Sequence, residues 1–214
     1  MAIEYSQVPP SLRTKPELGA TLAKKHGLSV SSVAMDTSPE MGIITKAFGA
    51  NLGWLCIFER DFETSVEKTK KLAADWAKLG VEISLHPHVK SNIETTDQID
   101  RLMKACEPNR TSVCFDTAHL TALGIDLEKF VERYASKISL VHLKDLKEMK
   151  PIKEIDYSKD FVDLGDGIAD LRGAMKALRR VKYNGPVIVE VDYPQTGTVE
   201  LSVQKNYAIL SSIL

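Results

Sequence analysis

Histidine and acidic residues follow four short apolar runs of this sequence, each at the point where the run ends. His86 and His88 follow residues 81–85, Asp116 and His119 follow residues 112–115, His142 follows residues 138–141, and Glu190 follows residues 187–189. Continuous apolar runs of this length are typical of strands buried on both faces, as in parallel sheets. The carboxyl ends of such strands form the active sites of α/β barrels. The pattern therefore predicts one shared metal or catalytic centre.

A helix cap is the ordinary alternative for any one of these residues, because Asp and related side chains frequently begin the helix that follows a strand. The residues recur, however, at the same point of a repeated unit, and only His26 of the five histidines lies outside the pattern. This recurrence favours a shared centre over a series of independent caps.

The chemistry of such a centre follows from its donor types. Carboxylate and imidazole ligands suit a divalent cation, and manganese, cobalt, zinc and iron are all compatible with them. Such an ion can hold the carbonyl and the neighbouring hydroxyl of a keto-sugar while the α-proton leaves. Glu190, or Glu94 if its loop folds over the pocket, is a candidate base, and His88 or His119 is a candidate acid. Return of the proton gives isomerisation or epimerisation, whereas departure of a β-hydroxyl gives dehydration.

The rest of the chain alternates predicted strands with predicted amphipathic helices. The strands cover residues 2–8, 28–35, 52–58, 81–85, 111–115, 138–143 and 187–191, the helices cover residues 15–25, 36–49, 61–79, 95–106, 126–135, 168–181 and 201–214, and residues 144–167 form the one long connection. Strict alternation predicts parallel strands joined by right-handed crossovers. The first strand-to-helix turn holds Pro9 and Pro10 in place of a glycine-rich fingerprint, which favours a barrel over a nucleotide-binding sheet.

The predicted fold class is therefore α/β, as a TIM-type (β/α) barrel in a single domain over residues 1–214. A closed barrel of this type has eight strands. Seven predicted strand–helix units thus indicate either an undetected strand or an incomplete barrel. The uncovered strand edges of an incomplete barrel would pair with each other or with a partner chain. A homodimer that covers the open edge is the expected assembly.

The composition of the chain limits the classes of partner and the cellular setting that we expect. The 214 residues are 43% hydrophobic with a formal net charge of −1 and well-mixed signs, so we expect no nucleic-acid binding. The three cysteines lack zinc-site spacing and are odd in number, which argues against a disulfide framework. The N-terminus lacks a basic region followed by an apolar stretch, and no apolar run reaches the length of a membrane span. A cytoplasmic setting without membrane contact is the resulting expectation.

Several short motifs together resemble the xylose isomerase-like TIM-barrel superfamily of sugar isomerases and epimerases. The motifs are His86-Pro87-His88, Ile93-Glu94-Thr95, Cys114 to Leu120, Val141 to Asp145, Leu164 to Gly167 and Val189 to Asp192, and their order is most similar to inosose dehydratase-like members. The resemblance is specific from about residue 81 onwards. Before that point it rests on strand–helix rhythm alone, and the chain resembles a member that lacks the first strand–helix unit.

The resemblance implies one divalent metal ion, namely manganese, cobalt, magnesium or zinc. Its ligands would be Asp116, His142 and Glu190, with His86 in the fourth position. Epimerases of the family have glutamate in that fourth position, so His86 is a departure from their two-glutamate pattern. The resemblance also implies substrate contacts from His119, Lys144 and Asp145.

Structural roles compete with some of these assignments. Glu94 is also consistent with a charged residue that leads into the next helix, and Lys144 with Asp145 is also consistent with a solvated ion pair. Asp166 and Asp170 are better explained as turn and first-turn helix residues.

Three functions are compatible with these residues. The first is a divalent-metal-dependent sugar or cyclitol isomerase or epimerase that abstracts a proton next to a carbonyl. The second is an inosose dehydratase, and the third is a truncated, non-catalytic paralogue that binds a metal or sugar. A DNA-repair endonuclease is disfavoured because its several-metal cluster needs more strand-end ligands than the sequence offers.

Overall fold

The computed structural model of the chain describes residues 2–109, 111–195 and 197–214. These residues form two compact units. The first unit runs to His86 and resumes over Ser91–Cys114, and the second consists of Pro87–Lys90 and Phe115–Leu214. The chain therefore passes from one unit to the other after His86, after Lys90 and again within a strand, between Cys114 and Phe115.

The first unit alternates strands with helices in the way that the sequence predicts. Its elements are β1 (Ala2–Tyr5), α1 (Pro10–Thr14), α2 (Glu17–Lys25), β2 (Ser29–Met35), α3 (Met41–Ala47), β3 (Leu52–Leu55), α4 (Phe62–Ala77), β4 (Glu82–Leu85), α5 (Thr96–Cys106) and the start of β5 (Thr111–Asp116). Each strand pairs in parallel with the next one along the chain, from β1 through β5. This order is expected when every crossover between parallel strands is a short helical connection.

Local capping explains where the longer helices of the first unit begin. The Asp61 side chain accepts the backbone N–H of Thr64 at the start of α4. Thr95 and Gln98 form a reciprocal capping box at the start of α5. The helices then bury one face, as shown by Trp76 of α4 and Leu102 of α5, which are both fully buried.

The second unit continues the alternation and adds a hairpin. Its elements are the end of β5, α6 (Thr117–Ala122), α7 (Leu127–Tyr134), β6 (Ile138–Leu143), β7 (Asp145–Leu146), a 3-10 turn (Ile152–Glu154), β8 (Phe161–Val162), α8 (Leu171–Arg180), β9 (Val187–Val189) and α9 (Val199–Ile213). Strands β6 and β9 are parallel, whereas β7 and β8 form an antiparallel pair.

The prediction of seven parallel strands is confirmed within the described ranges, with five strands that pair in the first unit and two in the second. The long connection over residues 144–167 is more structured than predicted, because it contains β7, the 3-10 turn and β8. Helix α6, which begins directly after Asp116, was not predicted. Helix α8 begins later than predicted because Asp170 caps it by accepting the N–H of Gly173.

In the described part of the chain, helices are too short or too polar to cross a lipid bilayer.

Candidate metal and substrate site

Asp116 ends strand β5 and begins helix α6, so one carboxylate performs two tasks. Its Oδ1 accepts the backbone N–H of His119 at 2.8 Å, which caps α6. Its Oδ2 lies 3.7 Å from Nδ1 of His142. The sequence alternatives of a cap and a metal ligand are therefore compatible, because each uses a different oxygen of the same fully buried side chain.

His142 and Glu190 are brought together by the parallel pairing of β6 and β9. The backbone N–H of Glu190 donates to the carbonyl of Leu143 at 3.0 Å, which continues the ladder just past β9. Nδ1 of His142 then lies 2.9 Å from Oε2 of Glu190. Asp116, His142 and Glu190 each offer a ligand atom within 4.8 Å of the other two.

These separations fit a divalent ion. Two ligand atoms that are each about 2.1 Å from one ion lie about 3 to 3.5 Å apart in a tetrahedral site. Both measured separations from His142 Nδ1, at 2.9 and 3.7 Å, are near that range. The mixed nitrogen and oxygen donors are those that borderline divalent cations prefer.

His86 directly follows β4 and is the last residue of the first unit before Pro87. Its backbone N–H donates to the carbonyl of Leu55 at 3.0 Å, and its ring lies 5.1 Å from the ring of Trp54. The side chain is buried, as a metal-binding imidazole at a strand end should be. Its assignment as the fourth ligand remains a prediction from the sequence pattern.

Lys144 introduces a positive charge beside the three candidate ligands of the second unit. Its side chain is 2% exposed, and Nζ lies 3.3 Å from Oε1 of Glu190 and 2.8 Å from Oδ2 of Asp192. Burial acts to lower the pKa of Lys144, but the carboxylates of Glu190, Asp116 and Asp192 hold it above its ordinary range. The sequence alternative of a solvated ion pair between Lys144 and Asp145 is therefore wrong.

The pKa values of the two carboxylates next to Lys144, those of Glu190 and Asp192, are shifted in opposite directions. Burial acts to raise the pKa of Glu190, yet Lys144 and His142 bring it well below its usual value. Burial dominates at Asp192 and raises its pKa in spite of Lys144. Three carboxylates thus surround one ammonium, and the excess of negative charge is the electrostatic condition that a divalent cation satisfies.

Thr117 is a site residue that no sequence pattern indicated. Its Oγ1 donates to the carbonyl of Lys144 at 2.6 Å and accepts the backbone N–H of Lys144 at 3.0 Å. One hydroxyl therefore satisfies both backbone groups of the residue that follows β6. The Asp-Thr sequence at a strand end was visible, but a hydroxyl that reaches a residue 27 positions away carries no local pattern.

The Asp145 carboxylate has structural partners, and its predicted role as a substrate contact stays a prediction. Its carboxylate accepts four backbone N–H groups, from Leu146 at 2.9 Å, Gly165 at 2.9 Å, Gly167 at 3.1 Å and Ala169 at 3.0 Å. These four bonds use the acceptor positions of the two oxygens. A side chain at Gly167 would overlap the same carboxylate, so the Gly165–Gly167 turn is shaped around Asp145.

The imidazole rings of His88 and His119 contact each other, with centroids 3.8 Å apart and an interplanar angle of 30°. Nδ1 of His88 lies 2.8 Å from the carbonyl of Val89, which can only accept, so this nitrogen carries the proton. The N–H of Val89 donates to Nδ1 of His119 at 3.4 Å, which places the proton of neutral His119 on Nε2. The backbone carbonyl and N–H of Val89 therefore determine the tautomers of both rings.

Glu94 lies in the first unit, directly before the capping residue Thr95. Its backbone N–H donates to Oε1 of Gln98 at 2.8 Å, so its main chain belongs to the start of α5. The catalytic role predicted for its carboxylate stays a prediction.

The fold and the strand-end residues define a class of protein. Parallel strands that alternate with helices, with polar residues gathered at the strand ends, are the arrangement of a TIM-type (β/α) barrel. The family model described as "Xylose isomerase-like TIM barrel" matches residues 33–212. The chain belongs to this family.

Curated relatives and solved structures agree with this assignment. An inosose dehydratase of Geobacillus kaustophilus (strain HTA426) is 31% identical over 143 residues, which cover 63% of this chain and 46% of that protein. The chain spans about half the length of the curated relatives that it matches.

The similarity to solved structures extends over nearly the whole chain. A crystal structure of the IolI protein with a bound zinc atom has a TM-score of 0.79 at 19% identity and covers 99% of this chain and 87% of that one. A D-allulose 3-epimerase from Methylomonas sp. in complex with D-allulose has a TM-score of 0.71 at 15% identity, with 94% and 82% covered. At these identities the structures support the fold.

Proposed function

We propose that this protein is a divalent-metal-dependent enzyme that removes a proton next to the carbonyl of a keto-cyclitol or related sugar and expels a β-hydroxyl as water. The observation that carries the proposal is the group formed by the buried Asp116, His142 and Lys144 and the partly buried Glu190 in the second unit. It combines a base, an ammonium and a donor set for a divalent ion. The substrate class is supported by curated relatives that are named inosose dehydratases.

The donor set allows manganese, cobalt or zinc, and it suits magnesium less well because an imidazole is one of the donors. Asp116, His142 and Glu190 would hold the ion, with His86 as the predicted fourth ligand. A bound ion would supply Lewis-acid polarisation of the substrate oxygen atoms.

The residues around the candidate ligands would bind and orient the substrate. The Glu190 carboxylate, which Lys144 and His142 keep ionised, is the candidate base for the α-proton. The Lys144 ammonium is a fixed positive charge for the oxygen on which negative charge develops. The Nε2–H of His119 would donate to a substrate hydroxyl. Because Nδ1–H of His88 donates to the Val89 carbonyl, His88 would act as the acid for the departing hydroxyl through Nε2 in its doubly protonated form.

Dehydration is preferred over isomerisation or epimerisation because epimerases move the proton with two carboxylates. This chain has Glu190 at one of the two positions and His86 at the other. One base and one acid are sufficient for loss of water. Isomerisation or epimerisation shares the first proton removal and remains the alternative reaction, and a metal- or sugar-binding protein without turnover remains the third outcome.

The deciding experiment combines solvent deuterium with mass spectrometry. The full chain is treated with chelator, reloaded with manganese, cobalt or zinc, and incubated in D₂O with an inosose and, separately, with a keto-hexose. We expect an inosose product that has lost one molecule of water. A substrate of unchanged composition that has gained deuterium would support isomerisation or epimerisation, and unchanged substrate without deuterium would contradict the proposed enzyme.

Glu190→Gln provides the matched variant. It removes the candidate base but preserves the size of the side chain, so turnover should fall by at least about a hundredfold. Glu132→Gln makes the same change on the exposed face of α7 and should leave turnover unchanged. The predicted homodimer would be tested by sedimentation of the same samples, and the cytoplasmic location stays a prediction.

A further inference from the structure

Phe161 is a buried aromatic residue in the segment that the sequence predicted as a connection. It is 1% exposed and belongs to an apolar cluster of the second unit with Val89, Ala118, Ala122, Leu146 and Ile155. In the β7–β8 hairpin, Phe161 pairs with Leu146, and the N–H of Lys147 donates to the carbonyl of Asp160 at 2.8 Å. Because β7 begins directly after Lys144, the hairpin fixes the Phe161 ring relative to that lysine.

Two polar groups of the candidate site contact this ring. Nζ of Lys144 lies 4.5 Å from the ring centroid of Phe161, within the range of a cation–π interaction. The imidazole of His119 lies 4.6 Å from the same centroid at an interplanar angle of 56°. A core phenylalanine needs only apolar neighbours, whereas Phe161 also faces an ammonium and an imidazole.

The contact with Lys144 matters because a buried ammonium is removed from water and is stabilised only by the protein groups that it contacts. Nζ has two carboxylate partners, Glu190 and Asp192, and the aromatic face of Phe161. Without the ring, the flexible lysine side chain would gain other rotamers, and its distance of 3.3 Å from Glu190 would no longer be maintained.

We propose that Phe161 is a positioning residue, whose ring holds the Lys144 ammonium and the His119 imidazole in the orientation that meets the substrate oxygen atoms. This role rests on the proposed function, because it requires Lys144 and His119 to contact the substrate. Phe161 acts through these two residues and makes no reaction step itself. Tyr157 extends the aromatic surface, since its ring is nearly parallel to that of Phe161 at 5.8 Å.

The kinetic test compares three variants of the full chain. Phe161→Leu removes the ring and keeps an apolar side chain, and Phe161→Tyr keeps the ring. Phe130→Leu is the matched control, because Phe130 is an equally buried ring of the same unit that packs on Phe115 and Tyr134. We expect Phe161→Leu to lower kcat about tenfold, as for loss of a desolvated cation–π contact, with a smaller change in KM.

Phe161→Tyr keeps the ring and should therefore retain a kcat within about twofold of the parental value. Phe130→Leu should leave kcat at the parental value even if it lowers the Tm. A parental kcat in Phe161→Leu would overturn the positioning role. So would an equal loss of kcat in Phe130→Leu, because general packing would then explain both.

A second readout does not depend on turnover. In protein labelled with ¹³C at the ε carbon of lysine, the Lys144 methylene protons should resonate upfield of other lysines because of the Phe161 ring, and Lys144→Met identifies the signal. The shift should vanish in Phe161→Leu and persist in Phe161→Tyr and Phe130→Leu. If the parent turns over no keto-cyclitol or keto-hexose but this pattern holds, the proposed function fails while the contact between the Phe161 ring and Lys144 stands. An unchanged shift in Phe161→Leu overturns the inference whatever the activity.

Discussion

Lys144 and Asp145 are neighbours in the sequence, yet their ammonium and carboxylate groups have opposite kinds of partner. The Lys144 side chain interacts with other side chains, whereas the Asp145 carboxylate is saturated by backbone N–H groups. From residue type and position at a strand end, the same role, a substrate contact, was predicted for Lys144 and for Asp145. What separates them is the fold of the Gly165–Gly167 turn, which presents its N–H groups to Asp145 and to no other acid of the described site.

Asp160 allows a residue-scale test of pH dependence, because its carboxylate is hydrogen-bonded on both oxygens. Lys150 donates to Oδ1 at 2.6 Å, and the backbone N–H of Asp156 donates to Oδ2 at 2.8 Å. Burial acts to raise the pKa of Asp160, but these bonds lower it below its ordinary value of 3.8. A lowered pKa in the folded state means stability that is present above the ordinary pKa and is lost as the pH falls through the folded pKa.

Asp160→Asn should therefore destabilise the protein at about pH 6 and have a smaller effect at about pH 3, which lies below the ordinary pKa, where the stability linked to this charge has begun to be lost. The free energy of unfolding in urea at the two pH values measures the difference. Glu154→Gln, an exposed change in the neighbouring 3-10 turn, controls for removal of a carboxylate from this segment. A gap between parent and Asp160→Asn that stays constant with pH would show that the charge of Asp160 is not involved.

At the scale of elements, helix α9 is unusual because it buries polar side chains and exposes apolar ones. Its buried side includes the polar residues Ser202 and Asn206, while Val199, Val203 and Tyr207 are exposed. The amide of Asn206 donates to Asp163 at 2.8 Å and accepts the backbone N–H of Leu164 at 2.6 Å, and the Ser202 hydroxyl also donates to Asp163. Helix α9 is thus attached to the segment after β8 by polar contacts as well as by packing.

Asn206→Ala should cost about 1 to 3 kcal/mol, because it leaves the buried Leu164 N–H and the Asp163 carboxylate with fewer partners. Chemical denaturation of the variant and of Gln204→Ala, an exposed change in the same helix, measures the effect. Gln204→Ala should stay within about 0.5 kcal/mol of the parent. Equal losses in the two variants would mean that α9 is held by its apolar contacts alone.

At the scale of the whole molecule, a metal that binds the folded chain must also stabilise it. Asp116, His142 and Glu190 come from three different strands or strand ends, and the unfolded chain does not bring them together. Binding free energy therefore adds to the free energy of unfolding, by about 2.7 kcal/mol at a hundredfold excess of ligand over Kd.

Chelator-treated protein should accordingly show a higher Tm after addition of manganese, cobalt or zinc, by several degrees for a chain of this size. The increase should disappear in Asp116→Ala/Glu190→Ala and shrink at lower pH, since protonation of His142 competes with the metal. Scanning calorimetry with and without metal is the measurement. An equal increase in the double variant would place the bound metal elsewhere on the protein.

The sequence by itself determined the class of fold and the place of the candidate site. Apolar runs that alternate with amphipathic helices are a one-dimensional pattern of burial, and they predicted the seven parallel strands and the strand-end residues Asp116, His142 and Glu190. The sequence also placed Asp170 at the start of a helix, although in the first turn and not at the cap position that it occupies. These features depend on neighbours within a few positions, so periodicity and residue type are sufficient to reveal them.

Only the tertiary structure decided the partners of each side chain. The bond from Thr117 to Lys144, the saturation of Asp145 by the Gly165–Gly167 turn, and the contact of Phe161 with Lys144 and His119 all join residues that are distant in the sequence. Such contacts depend on the register of β7 against β8 and on loop geometry. Strand register and loop geometry produce no periodic pattern in the sequence. Strands β7 and β8 have two residues each, which is too short to show the alternation of apolar and polar residues.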